Sequence, residues 1–326
     1  MTKALLVYQP GEPDVMKWED VDVGEPGEGE LRVKHAAVGL NYIDIYFRSG
    51  EYPAPTSPFC PGLEAAGTVE AVGAGVEGLQ VGDRIAYADL PMGSYTEARL
   101  FPARSVVKLP DDIDFETGAA MMLQGMTAEY LLRRTYPVQA GDTVLIHAAA
   151  GGVGLIACQW ARHLGATVIG TVGSDEKAEL VKANGCHHPI VYTRENVFER
   201  VKELTDGVGV TVVYDAVGKD TFETSLDCLK PRGMMVSYGQ SSGPIGAITL
   251  DDLKSRGCIY LTRPSIMIYN SMPDEIRNSA SALFDLVSTG HVKITINQRF
   301  PLADAASAHR ALESRQTTGS TVLYID

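Results

Sequence analysis

The run His147-Ala148-Ala149-Ala150-Gly151-Gly152-Val153-Gly154 separates two patterns of different period. Before it lies the apolar Val144-Leu145-Ile146. After it, Val153, Ile156, Ala157, Trp160 and Leu164 recur at spacings of three and four, one face of a helix. Strand, glycine-rich turn and helix in that order form a cradle for a dinucleotide pyrophosphate. Without a Cβ the backbone comes close to the phosphates, and the first N–H groups of the helix, at its positive dipole end, face the anion. Gly151, Gly152 and Val153 are the candidate phosphate-binding residues. Written A-x-x-G-x-x-G from Ala148 to Gly154, the run lacks the first glycine of G-x-G-x-x-G. Glycine-rich strand–helix turns also occur without a ligand, so the surroundings must decide.

Those surroundings alternate strand and helix from about 120 to 262. The strands read as Thr143–Ala149, Thr167–Val172, Pro189–Tyr192, Val210–Val217, Gly233–Gly239 and Cys258–Thr262. Helical patterns fill most of the gaps, which predicts a six-stranded, parallel, doubly wound α/β sheet of the Rossmann kind. Ser174 is a helix N-cap with Asp175 and Glu176 in the first turn, and Gly185 closes that helix. Up to about residue 115 short strands are punctuated by Gly and Pro, as in Leu31–Val38, Gly67–Gly73 and Asp83–Tyr87, which predicts a mainly β, partly open barrel. After the parallel sheet come a helix from Pro273 to Gly290, an extended Arg299–Leu302, a helix over 304–314 and a last strand, Thr321–Ile325, that rejoins the first unit. The expected domains are 1–120 with 265–326, and 121–264 inserted between them.

Composition narrows the function. The 326 residues suffice for two domains, and their 45% hydrophobic and 21% charged content is that of a globular protein. A net charge of −13 provides no electrostatic footprint for nucleic acid or an anionic membrane. An anionic cofactor must therefore be held by local cations and backbone N–H groups. The N-terminus enters a strand-like run directly, which predicts no signal peptide, and no run approaches the about 20 apolar residues of a membrane span. Cys60, Cys158, Cys186, Cys228 and Cys258 are dispersed, which fits a reduced, cytoplasmic protein.

The residue ending the second strand of such a sheet separates NAD from NADP. An Asp or Glu about 20 residues past the glycines bonds the ribose 2′-hydroxyl in NAD enzymes. Here that position, Gly173 or Ser174, carries no carboxylate. Small residues leave room for a 2′-phosphate, Lys177 brings a compact positive charge one helical turn later, and Tyr192 ends the next strand with a hydroxyl donor. The reading is NADPH. Asp175 is the opposing observation, since it could turn to the 2′-hydroxyl; it is read as first-turn dipole chemistry. Val217, Tyr238 and Gly239 lie at further strand ends, where ligands of open α/β sheets bind.

Four motifs carry a family resemblance over essentially the whole length: Asn41-Tyr42-Ile43-Asp44-Ile45-Tyr46-Phe47-Arg48-Ser49-Gly50, Pro61-Gly62-Leu63-Glu64-Ala65-Ala66-Gly67, the His147–Gly154 turn, and Val213-Tyr214-Asp215-Ala216-Val217-Gly218. The chain resembles the medium-chain dehydrogenase/reductase superfamily, in its quinone oxidoreductase or zeta-crystallin-like branch, and is most similar to the bacterial NADPH-dependent quinone reductases. The resemblance implies a GroES-like catalytic domain before and after the Rossmann domain. It departs from the zinc-dependent alcohol dehydrogenases of that superfamily, which place Cys at Asn41 and His at Leu63 and carry a four-Cys lobe, whereas residues 85–105 here contain no Cys. Zinc needs three or four converging N, S or carboxylate ligands, so no metal is expected. His187-His188, the adjacent histidine pair, reads as part of a loop.

Without a Lewis acid, alcohol oxidation is disfavoured, while hydride transfer to a quinone or an activated enone needs only positioning and hydrogen-bond donors at the acceptor oxygen. The resemblance puts Asn41, Tyr46 and Tyr52 near the nicotinamide as candidate catalytic donors, with Asn41 and Tyr46 also candidate cofactor contacts, Tyr46 bonding either the cofactor or the acceptor oxygen, and Asp44 orienting a neighbour or bonding the cofactor. It puts Gln124 and Thr127 at the nicotinamide end, and Arg263-Pro264-Ser265 and Arg315 by the cleft, as further candidate cofactor contacts. Arg315 either reaches a cofactor phosphate or caps the 304–314 helix. The apolar outer strand 258–262 is expected to pair with its copy in a homodimer, as the family does. Enone or alkenal reduction and a low-turnover, crystallin-like NADPH-binding role are the alternatives to quinone reduction.

Overall fold

The computed structural model describes residues 2–325. Strands β1 (Thr2–Val7), β2 (Met16–Val21) and β3 (Glu30–Leu40) precede helix α1 (Tyr42–Ser49) and strands β4 (Glu64–Val72), β5 (Arg84–Ala88), β6 (Ala98–Pro102) and β7 (Val107–Lys108). Helix α2 (Phe115–Glu129) leads into an alternating series: β8 (Thr143–Ile146), α3 (Gly152–His163), β9 (Thr167–Val172), α4 (Asp175–Ala183), β10 (His188–Val191), α5 (Val197–Leu204), β11 (Val210–Asp215), α6 (Phe222–Cys228), β12 (Leu229–Ser237), α7 (Leu250–Ser255), β13 (Tyr260–Thr262) and α8 (Ile266–Tyr269). The chain ends with α9 (Pro273–Ser288), β14 (Ile296–Pro301), α10 (Ala305–Glu313) and β15 (Ser320–Tyr324).

Two compact units result. Unit 1 comprises residues 1–126, 270–288 and 294–326; unit 2 comprises 127–269 and 289–293. The short piece Thr289–Lys293 is not foreseen in the sequence. It belongs to unit 2 because the Gln159 amide bonds the Lys293 backbone in both directions, at 3.1 and 2.8 Å, and His163 meets His291 edge to face at 4.3 Å.

Unit 2 is one parallel sheet in the order β10-β9-β8-β11-β12-β13. Its central strands are apolar on both faces: every residue of β11 is buried, as parallel strands under helices on both sides require. Leu145, Ile169, Ile190, Val213, Met235, Phe222 and Leu226 share one core. The chain reverses direction of winding between β8 and β11, the switch point where such sheets bind ligands. β8, β11 and β13 are shorter than the sequence pattern suggests, while β12 begins four residues earlier, at Leu229. β8 stops at Ile146, because Ala148 turns into the left-handed region at φ 50°. β13 begins only at Tyr260, because Gly257 and Cys258 are left-handed at φ 98° and 57°.

In unit 1, β3 is the hub. Its far half pairs with β15, its near half with β6, and β4 lies along its other side. Shifts in register at Arg32/Val33 and His35/Ala37 bend it, as bulges do, so that one long strand serves both neighbours. Leu31, Val33, Val38, Leu40, Phe59, Tyr87, Tyr95, Phe101 and Leu323 fill the core beneath. Terminal β15 thus returns to the N-terminal strands.

Candidate functional site

In unit 2 the turn after β8 is built for close approach. Gly151 precedes α3 in extended conformation and carries no side-chain cap, so the N–H groups of Gly152 and Val153 open the helix toward solvent. A Cβ at Gly154 would fall 2.4 Å from the Ala148 carbonyl oxygen and 2.6 Å from that of Ala149. Only glycine fits there, which is the close helix–strand packing of a dinucleotide turn. The usual motif's first glycine falls on Ala149; the left-handed residue here is its neighbour Ala148, at φ 50°, whose carbonyl accepts from Gly151 N at 2.9 Å. Below the turn, His147 is locked between Thr171 Oγ1 at 2.9 Å and Ser225 Oγ at 3.0 Å. Burial lowers its basicity, so it stands as a neutral strut.

The end of β9 gathers small and basic residues. The Ser174 hydroxyl accepts from Lys177 N at 3.3 Å and caps α4. Partial burial lowers the Lys177 pKa. The Tyr192 hydroxyl stands over Gly173, 2.9 Å from where a Cβ would be, and Thr193 Oγ1 donates to the Gly173 carbonyl at 3.3 Å. Asp175 is paired with Arg194 at 2.7 Å. Arg194 was not singled out from the sequence: it lies beyond a strand and a turn, and only the parallel pairing of β9 with β10 brings it to this end. The strand end therefore collects Lys177, Tyr192 and Arg194 around two residues without carboxylates.

At the switch point, buried Asp215 accepts from Val217 N at 2.7 Å, Gly218 N at 3.1 Å, Thr221 Oγ1 at 2.7 Å and Ser225 Oγ at 2.8 Å. This ties the Val217 turn to α6. Tyr238 N donates to the Asp215 carbonyl, and a Cβ at Gly239 would fall 2.7 Å from the Ala216 oxygen. Arg263 holds Gln240 Oε1 at 2.7 Å, and after Pro264 the Ser265 carbonyl accepts from Ile268 N and Tyr269 N of α8 at 3.0 and 3.1 Å. Thr127 bonds the Tyr130 hydroxyl. His188 opens β10 and so belongs to the sheet, while His187 stands in the bend before it, where its Nδ1 accepts from Val168 N at 3.0 Å.

In unit 1 the sequence-derived residues fall into two groups. Tyr42, Tyr46 and Tyr52 form an aromatic run, with ring centroids 5.3 and 4.9 Å apart. Arg315 ends α10 in the left-handed conformation at φ 59°, and its charge reaches Tyr42. The second group is a buried polar chain. Asn41 Nδ2 donates to Glu64 Oε2 at 2.6 Å, Gln124 Nε2 donates to Asn41 Oδ1 at 3.1 Å, and Ser320 Oγ donates to Gln124 Oε1 at 2.7 Å. Leu123 N donates to Glu64 Oε1 at 2.8 Å. Asp44 accepts from Asn41 N at 2.9 Å, capping α1, and from the Tyr95 hydroxyl at 3.2 Å. Burial pushes the Glu64 carboxyl up to about 8 and that of Asp44 to about 7, against the lowering effect of these donors. Glu64 and Ser320 escaped the sequence reading. The available signal for Glu64 was a lone acid inside the apolar Leu63–Ala66 run.

Residues 27–111 match the alcohol dehydrogenase GroES-like domain family, and residues 152–284 match the zinc-binding dehydrogenase family. The chain is 52% identical to a quinone oxidoreductase of Pseudomonas aeruginosa, covering 99% of both chains. It is 47% identical to a 2-haloacrylate reductase of Burkholderia, also over 99% of both. The solved Escherichia coli quinone oxidoreductase complexed with NADPH superimposes with a TM-score of 0.97 at 44% identity, covering 99% of each chain. The zinc in one matched family name does not fit these residues. Leu63 has no donor atom, Asn41 offers an amide already held by Glu64 and Gln124, and among the described residues no three His, Cys, Asp or Glu side chains are grouped to hold a metal. With this fold, this turn and relatives of this identity along its whole length, the chain belongs to the quinone oxidoreductase family of the medium-chain dehydrogenase/reductases.

Proposed function

We propose that the protein transfers reducing equivalents from NADPH to quinones without a metal. The observation that carries the cofactor assignment is the end of β9, where Gly173 and Ser174 leave room, Lys177, Tyr192 and Arg194 supply positive charge and a hydroxyl, and Asp175 is held by Arg194. A 2′-phosphate is stabilised there, whereas a bare ribose 2′-hydroxyl finds no carboxylate acceptor. The close approach enforced at Gly154 fits the pyrophosphate, with Gly152 and Val153 presenting N–H groups and Gly151, without a Cβ, letting the phosphates come close. Bound NADPH supplies the hydride. Gln124, Thr127, Val217, Tyr238, Gly239 and the Arg263–Ser265 segment position its nicotinamide half, and Arg315 holds a phosphate. Unit 1 is the catalytic, GroES-like domain and unit 2 the NADP-binding domain. Tyr46 and Tyr52 offer aromatic faces and hydroxyls to the acceptor, and Asn41 donates toward the oxygen on which charge develops. Asp44 serves by fixing the start of α1.

The 2-haloacrylate reductase relative supports a second reading, reduction of a carbon–carbon double bond activated by a carbonyl. Outer strand β13 has one neighbour in the sheet and exposes Tyr260, which supports a homodimer through residues 258–262. Five free cysteines support a cytoplasmic location, and among the described residues no helix is long and apolar enough to cross a membrane.

The deciding experiment measures NADPH oxidation anaerobically with 1,4-benzoquinone, a 2-haloacrylate and an enone, beside NADP+ reduction by a simple alcohol. Turnover greatest with the quinone supports the proposal, and turnover greatest with the haloacrylate or enone moves it to the second reading. Tight NADPH binding without oxidation by any acceptor contradicts both and leaves a binding role.

A further inference from the structure

The chain Ser320–Gln124–Asn41–Glu64 runs in one direction. Each member donates to the next, and the carboxylate at its end only accepts. All four side chains are buried, with Glu64 at 0%, Asn41 at 4% and Gln124 at 7% exposure. The fold reserves this space. A Cβ at Gly39 of β3 would fall 2.4 Å from Glu64 Oε2 and 2.2 Å from the Ala119 carbonyl oxygen. The opposite direction is equally satisfiable. If the Glu64 end donates, Asn41 turns its Oδ1 to it and its Nδ2 to Gln124, and Gln124 turns Oε1 to Asn41 and Nε2 to Ser320. The Ser320 hydroxyl then donates to the Ala120 carbonyl, already 3.0 Å away. Within the four side chains every donor and acceptor keeps a partner either way; the reversed direction gives up the cap contact of the Asn41 side chain with Asp44 N, which keeps the Asn41 backbone carbonyl at 3.0 Å, so no buried N–H is left unmet.

An amide has two donors on nitrogen and two lone pairs on oxygen. The chain uses one of each on Asn41, whose side chain also caps the Asp44 N–H at the start of α1. Reversal exchanges the places of its second N–H and second lone pair. We propose that Glu64 is a positioning residue that sets the direction of this chain, and with it the place where Asn41 offers a donor to the acceptor oxygen. Resting on the proposed reductase activity for its catalytic consequence, the inference makes the ionised state of Glu64 the one that aims the Asn41 Nδ2 group toward β4. Protonation, or an amide in place of the carboxylate, reverses it. Among the groups facing Glu64, Asp44 on α1 is the one that titrates; Gly39 on β3, Leu123 and Gln124 on α2, Ala88 on β5 and Ser320 on β15 do not. Protonation of Asp44 therefore favours the ionised Glu64, and ionisation of Asp44 opposes it.

The test is Glu64→Gln in the full chain. With Leu123 N still requiring an oxygen, the introduced amide nitrogen faces Asn41 and imposes the reversed direction. The side-chain amide resonances of Asn41 and Gln124 should move together relative to the wild type at high pH. They should match the positions the wild type approaches at low pH, and cease to depend on pH. Quinone kcat should fall about 100-fold, the loss that follows removal of one aimed donor, while quinone KM and the affinity for NADPH stay near wild type. Should this variant fold poorly, Gln124→Glu imposes the same reversal on Asn41 from the other end and must give the same Asn41 shift. Unchanged amide resonances in a folded variant, or an activity loss that only follows the folded fraction with the wild-type pH profile intact, would overturn the proposal. The resonances decide it even if the protein reduces no quinone.

Discussion

The end of β9 and the surroundings of Glu64 are both polar, and they are built on opposite plans. Around Gly173 the charged side chains are exposed or half-buried, and the cations Lys177 and Arg194 are separated by small residues. Around Glu64 the polar groups are buried amides and carboxyls, and the partners of the carboxylate are N–H dipoles rather than cations. A site for a multiply charged phosphate gains from mobile cations and open N–H groups, because the ligand brings the compensating charge. A site for a neutral acceptor gains from dipoles oriented in advance, because charge appears there only during reaction. One chain carries both plans, each in its own unit.

The largest effect should come from Gly154→Val, which drives a side chain into the Ala148 and Ala149 carbonyls. Denaturant unfolding should show a loss of about 3 kcal/mol, and fluorescence titration should show NADPH affinity lower by about 100-fold. Full NADPH affinity in this variant would break the claim that the turn is a phosphate cradle. Asn41→Ala leaves Glu64 Oε2 and Gln124 Nε2 facing a void. It should cost about 2 kcal/mol of stability and lower quinone kcat, with NADPH affinity scarcely changed. A selective loss of NADPH affinity instead would erase the distinction between the two regions. Lys177→Ala should weaken NADPH binding about tenfold, the low end for a charged hydrogen bond to phosphate, and leave NADH binding unaltered. Equal weakening of both cofactors would remove Lys177 from the 2′-phosphate.

The smallest effect is on stability against pH, and its sign follows from burial. Glu64 and Asp44 have folded pKa values of about 8 and about 7, above their ordinary 4.5 and 3.8. The folded state therefore holds more protons, and the contribution of these groups to stability is lost as pH rises through those values. His35 and His309 are buried with pKa lowered from 6.5 to about 3, and burial lowers His147 and His187 as well; these act in the opposite sense until the unfolded imidazoles have lost their protons, about one unit above 6.5. Between about pH 7.5 and 8 the carboxyls outweigh them, so Tm should decline across that window and decline less in Glu64→Gln. A Tm rising over that window would contradict the buried, raised carboxyls.

Much of unit 2 is legible in the sequence because its determinants are local. Apolar strands of three to nine residues, a glycine turn and amphipathic helices follow one another, and the sheet order is the one that right-handed crossovers produce. The expected strands run too far where left-handed Ala148 and Cys258 stop the pairing, and by one or two residues at the ends of β10, β11 and β12. In unit 1 the tyrosines of α1 and the missing zinc donors at Asn41 and Leu63 are equally plain in the sequence. The Glu64 chain is not, since its links join residues 23, 83 and 196 positions apart. No periodicity reports such contacts; only the meeting of β3, β4, α2 and β15 creates them. Arg194 and the Thr289–Lys293 piece were hidden for the same reason.

Anaerobic oxidation of NADPH and of NADH by 1,4-benzoquinone, measured on protein exhaustively treated with chelator, addresses the central claim most directly. Full turnover with NADPH, little with NADH at the same concentration, and no gain on adding zinc is the result the two regions require. Activity abolished by the chelator and restored by zinc, or equal use of both cofactors, would contradict the account.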